Sequence, residues 1–235
     1  MSGFDVSSSE RFSGPIRIEA ALAEGPEGAI DRVRGRIRAF ADAIDAGYFF
    51  PARMRSAAPQ FGGAGDAVHV SLQVDELPLT ALDVLGGMLR DCRHDEVHLR
   101  SAHAELDRRQ RDLLRDTGWR PEAPDDTPFE VEFPEDLGGN YALLVEIEFA
   151  QPVPPALREG LLADLALWDE LTRAYPDDPD DPVDVSGAQA MFNDPRTIHY
   201  HEWVWDNADV EAWDLIVNLC CVWHQTLPIV RLHFE

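Results

Sequence analysis

Residues 197–207 read TIHYHEWVWDN and gather His199, His201, Glu202, Trp203, Trp205 and Asp206 into one short stretch. Two imidazoles two positions apart on a strand share a face. With a third nitrogen or a carboxylate they would form a metal centre with a position left for water, as zinc and non-haem iron sites do. His199, His201 and His233 are the candidate ligands. The same residues fit a pocket in which the tryptophans are apolar walls and an arginine or histidine orients an anionic or aromatic ligand. They also fit an interface, with the indoles as its apolar centre against another sheet face or a second chain, as in a homodimer. No HExxH, CxxC pair or glycine-rich phosphate loop accompanies them, so no motif names a reaction.

The elements that hold this stretch follow from hydropathy period. PIRIEAAL, from Pro15, alternates with Ile16, Ile18, Ala20 and Leu22 on one side and Arg17 and Glu19 on the other, which predicts a strand. Residues 28–47 carry Val33, Ile37, Phe40, Ala41 and Ile44 at helical spacing and stop at Gly47. A hairpin across GGAGD follows, its second arm alternating through Val68, Val70, Leu72 and Val74. Next come a helix with Leu82, Leu85 and Leu89 on one stripe and a short strand in DEVHLR. The order strand, helix, two strands, helix, strand recurs from YALLVEIEF at 141–149 to LPIVRLHFE at the end. Aligning the halves sets His69 on His199, Val74 on Val204 and, after one insertion, Asp83 on Asp214.

The expected fold class is therefore α+β, with two tandem ferredoxin-like (βαββαβ) units from an internal duplication, each an antiparallel sheet with helices on one face. The boundaries read 13–104 for the first unit, 105–127 for a charged helix and proline-rich linker, and 128–235 for the second. FEVEFPEDLGGN is expected to add a strand paired to YALLVEIEF. Arg32, Arg34, Arg36 and Arg38 read as a solvated helix face. His98 and His103 match neither one strand face nor one helix face.

One sheet face stays uncovered in such a unit, and alternation assigns side chains to it. Ile198, Tyr200 and Val204 go to the helices. The open face of the second unit then collects Glu146, Glu148, His199, His201, Trp203, Trp205, Arg231 and His233. Glu202 lands on the covered side, which calls for a partnered or protonated carboxylate, or a bulge.

Composition bounds the function. The chain carries 44 acidic and 20 basic residues for a net charge of -24, and every basic residue is arginine. Without lysine there is no P-loop and no Schiff-base chemistry. The charge opposes nucleic acid and anionic lipid and favours a basic protein partner, or else serves solubility. An immunity-like, antitoxin-like or inhibitor protein is the function expected, with the acidic loop Asp177, Asp178, Asp180, Asp181 and Asp184 and the open face as contact surfaces. The alternative is a small-molecule binder or enzyme working on the open face, with or without a metal. No other cofactor is implied. Cys92, Cys220 and Cys221 are an odd set that reads as buried free thiols. With no spanning segment and no leader at the N-terminus, the expected location is the cytoplasm.

Overall fold

The structure, a computed structural model, describes residues 10–55, 59–63, 65–118, 120–134, 141–175, 180, 185–204 and 210–235; for 141–143, 185–188, 202–204 and 210 it describes the backbone alone. The chain divides between Pro121 and Glu122 into two units.

In the first unit, β1 (Arg11–Glu24) buries Ile16, Ile18 and Ala20 and turns Arg17 and Glu19 outward, as period-two alternation requires. Helix α1 (Ala29–Ala46) buries Val33, Ile37, Phe40, Ala41 and Ile44. Each large apolar side chain removed from water there contributes roughly 1.5–3 kcal/mol. The helix ends at Gly47, whose φ of 113° suits the left-handed cap and whose N–H donates to the Ala43 carbonyl. The short strands β2 (Arg53–Met54) and β3 (Gln60–Gly62) both pair with β4 (Ala67–Pro78), which buries Val68, Val70, Leu72 and Val74. Helix α2 (Ala81–Asp91) leads to β5 (His98–Leu106) and β6 (Arg109–Asp112). The sheet order β2-β4-β1-β5-β6, with β3 also on β4, is the ferredoxin-like order plus one added edge strand.

Two expectations change here. Residues 105–112 form no charged helix; they complete β5 and turn back as β6, because Asp107 and Arg108 adopt φ of 45° and 66°, a two-residue hairpin turn. Arg111 on that strand is buried and reaches both carboxylate oxygens of Asp83 at 2.5 Å and the Leu79 carbonyl at 3.0 Å. Arg36 is not solvated. It lies buried against Asp91 at 3.1 Å and Asp95 at 3.4 Å, since its side of α1 meets the end of α2.

In the second unit, β7 (Glu130–Glu132), β8 (Tyr141–Phe149), β9 (Val185–Asp194), β10 (Thr197–Val204) and β11 (Ile229–Phe234) lie in the order β7-β11-β8-β10-β9. β7 runs parallel beside β11 and does not pair with β8, whose two sides are taken by β10 and β11. Helices α3 (Pro155–Ala166), α4 (Trp168–Thr172) and α5 (Trp213–His224) complete the unit. Val145, Ile147, Phe149, Ile198 and Tyr200 are buried as the alternation predicts. Trp168 meets the Tyr200 ring edge-on at 6.0 Å and donates its indole N–H to Ala212 O at 2.9 Å; the Tyr200 hydroxyl donates to Asp169. Among the described residues no helix is long and apolar enough to cross a membrane.

Candidate functional site

The open face of the second sheet is built by strand register. Residues directly opposite on neighbouring strands share a face, and His199 stands opposite Glu146, which stands opposite His233 on its other side. Met191 and Glu132 extend the same line to the two edges, giving Met191, His199, Glu146, His233 and Glu132 across five strands. One step along, Thr197, Glu148 and Arg231 form a second row. In the other direction lie His201, Leu144 and Glu235; the last two exchange backbone hydrogen bonds at 2.8 and 3.1 Å.

Charge pairs tie the rows together. The Arg231 guanidinium reaches Glu146 at 2.9 Å, Glu132 at 3.5 Å and Glu148 at 3.8 Å. His199 Nε2 lies 3.4 Å from the other Glu146 oxygen. His233 Nδ1 lies 2.8 Å from Glu132, an ion-pair distance without hydrogen-bond geometry, and its Nε2 meets Glu235 at 3.0 Å. Arg196 adds a contact to Glu148 at 3.6 Å. Its position is set by the β9–β10 turn, where the Arg196 N–H donates to the Asp194 carboxylate at 2.6 Å and holds that carboxyl below the usual range.

Of the eight residues expected on this face, six are brought together: Glu146, Glu148, His199, His201, Arg231 and His233. The backbone of Trp203 stands opposite Ala142 and Ser186; its side chain, Trp205 and the side chain of Glu202 lie outside the described residues. The pairing of β9 with β10 shifts between His201 and Trp203, with the extra residue on β9, while Glu202 keeps its register opposite Leu143 on β8. Asp180 is exposed, while Asp177, Asp178, Asp181 and Asp184 lie outside the described residues.

The metal expectation meets an obstacle. β8 lies between β10 and β11, so His199 and His233 stand two strand spacings apart, about 9–10 Å between backbones. Both rings are engaged by carboxylates instead. Among the described residues no group of three His, Cys, Asp or Glu is placed to hold a metal ion.

Sequence reasoning missed Glu132, Glu235, Arg196 and Met191 here. In the first unit it missed His103. Glu19 on β1 stands opposite His69 on β4 and opposite His103 on β5, so a His–Glu–His row crosses that open face too. The two rows occupy the same strands of their units, in the same order. The alternation of FEVEF and of LHFE carried the signal for Glu132 and Glu235; the neighbours that complete each row come from far along the chain.

Strand order and side-chain alternation thus define an α+β protein of two sheets, antiparallel but for β7 beside β11, with helices, in ferredoxin-like order, each sheet presenting a charged open face. No protein-family profile matches the chain, and a search of curated proteins finds no relative. Among solved structures it is similar to "Crystal structure of putative glycine cleavage system transcriptional repressor", with 10% identity over 95% of this chain and 98% of that one and a TM-score of 0.23. A score that low carries no argument.

Proposed function

We propose that this is an acidic interaction protein of the immunity, antitoxin or inhibitor kind, which takes a basic protein partner on the open sheet face of its second unit. The observation that carries the reading is the density of half-buried carboxylate on that face. Glu132, Glu146 and Glu148 surround one guanidinium, Arg231, with a second, Arg196, at the margin, and the more exposed Glu235 meets His233 beyond them. Incoming arginines or lysines would find acceptors already oriented, which favours fast, salt-sensitive association. Met191 is 45% exposed in the row of His199, and the backbone of Trp203 lies further along β10, opposite Ser186. Methionine and tryptophan are residue types enriched at interface centres. The acidic loop Asp177, Asp178, Asp180, Asp181 and Asp184 belongs to the same proposal as a second contact.

Internal duplication is part of this reading, supported by the shared strand order, the shared His–Glu–His row and the matching Asp83 and Asp214 at the start of α2 and α5. A cytoplasmic location is supported by three buried free thiols, Cys92, Cys220 and Cys221.

The test is affinity capture from the native host, identification of the retained protein, and measurement of its dissociation constant at about 50 and 300 mM salt. The expected result is a basic protein whose affinity falls with salt and falls at least ~thirtyfold, about 2 kcal/mol, on Trp203→Ala. Retention that ignores salt, or Trp203→Ala that lowers the melting temperature and leaves binding intact, refutes the proposal.

A further inference from the structure

The His–Glu–His row of the first unit lies in different surroundings. A groove of about 420 Å³ opens over it and over the adjoining row of Ser71, Arg17 and Glu105. Gln60 on β3 and Gln110 on β6 stand at its two margins, and Gly62, opposite His69, leaves the β3 side without a side chain. The groove residues are loosely engaged with one another. Arg17 meets Glu105 only at 3.5 Å, and His69 Nδ1 is 3.9 Å from Glu19. His103 Nδ1 is shielded from solvent and has no hydrogen-bond partner. An unpaired buried ring nitrogen costs free energy, and a ligand atom that reaches it recovers that cost.

We infer that this groove is a second binding site, for a small, neutral, hydroxyl-rich molecule such as a sugar or polyol. The ligand class follows from the balance of the lining. Two carboxylates, Glu19 and Glu105, face one guanidinium and two imidazoles, so neither an anion nor a cation finds a field of one sign. Carboxylates accept only, arginine donates only, and amides, imidazoles and the Ser71 hydroxyl do both. A hydroxyl group both donates and accepts. A ring or chain of hydroxyls can satisfy carboxylate and guanidinium at adjacent positions where a simple ion satisfies one and repels the other. The volume lies within the range of small-molecule sites, about 300–1,000 Å³. The site is independent of the partner surface proposed for the second unit, and either stands if the other fails.

Titration of the ¹⁵N-labelled full chain by two-dimensional NMR tests it, with D-glucose, D-ribose and sorbitol as neutral probes and citrate and spermidine as charged ones. The expected result is saturable shifts, on at least one neutral probe, confined to amides of β1, β4 and β5 around Glu19, His69 and His103. Glu19→Gln should weaken that binding about tenfold, the loss of a charge-assisted hydrogen bond. Glu146→Gln, its counterpart in the second unit, should leave it unchanged. Glu19 is 61% exposed, so the substitution leaves the fold standing, and retained spectral dispersion verifies this. Silence from all three neutral probes, shifts produced there only by citrate or spermidine, or equal loss in both variants overturns the inference.

Discussion

Arg111→Met should be among the most damaging single substitutions in the first unit. The Arg111 and Asp83 side chains are 7% and 3% exposed, and the guanidinium binds both Asp83 oxygens and the Leu79 carbonyl. Removing it leaves Asp83 with the Thr117 hydroxyl at 2.7 Å, a carboxylate that has lost its bidentate partner in a low-dielectric site. Breaking a buried pair from one side costs about 3–5 kcal/mol, because the abandoned charge keeps its desolvation penalty. For a unit of 121 residues, Met1–Pro121, that corresponds to a fall in melting temperature of roughly 10–20 °C. Denaturation followed in parallel by circular dichroism and tryptophan fluorescence localises the effect, since five of the six tryptophans lie beyond residue 121. The dichroism transition should move far more than the fluorescence transition. The double variant Asp83→Leu with Arg111→Met should recover most of the loss, because apolar replacement of both partners removes the stranded charge. A single-variant loss below about 1 kcal/mol, or a double variant as unstable as the single, refutes the assignment of Arg111 as the clamp that holds β6 to α2.

Gly86→Ala should destabilise the first unit, because the added methyl group would lie 2.3 Å from the Leu113 carbonyl oxygen. Gly35→Ala in α1 meets nothing within 4 Å and should stabilise by about 0.4–1 kcal/mol; urea melts of the two variants check both signs. Burial pushes the Cys221 thiol up to about 11 and Cys220 above its ordinary range, so a thiol reagent at pH 8 should leave all three cysteines unlabelled in the native protein and label them in denaturant. Asp214 is shifted above its ordinary 3.8 first by burial and further by Glu122, against the Ala123 N–H that its carboxylate accepts. The folded state therefore holds that proton more tightly than the unfolded chain, and stability declines as pH rises from 3.8 through the folded value. Asp214→Asn should raise stability at pH 7 and make no difference well below pH 3.8, read from melts across that range.

Most of the fold was legible because each half repeats two periods. Ile16, Ile18 and Ala20 against Arg17 and Glu19 fix a one-sided strand, and Val33, Ile37, Phe40 and Ile44 fix a helix face that Gly47 ends. Local period also sorted Glu146, Glu148, His199, His201, Arg231 and His233 onto one surface. It failed where register slips. β5 shifts against β1 between Ala21 and Leu22 and again before Glu24, which is why His98 and His103, of unlike parity, read as belonging to no common face. It failed again at Asp107 and Arg108, a left-handed turn made without glycine or asparagine, so the arginine-rich strand beyond looked helical. Which carboxylates Arg231 would reach depended on β7 docking beside β11, a pairing between segments about a hundred residues apart that periodicity does not encode.

The two open faces share a row and diverge around it, and the divergence accounts for their different surfaces. One step along from His199, Glu146 and His233, the second unit has Thr197, Glu148 and Arg231. The same step from His69, Glu19 and His103 gives Ala67, Ala21 and Ser101. A guanidinium at one of these positions draws three carboxylates inward and cross-links the row, so the second face is a continuous acidic surface whose carboxylates are held in place. Small side chains at the other leave Glu19 and His103 without that anchor. The first row keeps its polar groups available, and the long side chains Arg17, Gln60 and Gln110 rise around it on the opposite flank. Exchange of one residue, Ser101→Arg, should therefore carry the second face's character into the first. An arginine there is one strand away from Glu19, as Arg231 is from Glu146, and its arrival should abolish polyol-induced shifts in the groove while leaving the fold and the second unit's spectrum as they were. If the groove still responds to the same probe with the same affinity, the anchoring role assigned to Arg231 is wrong.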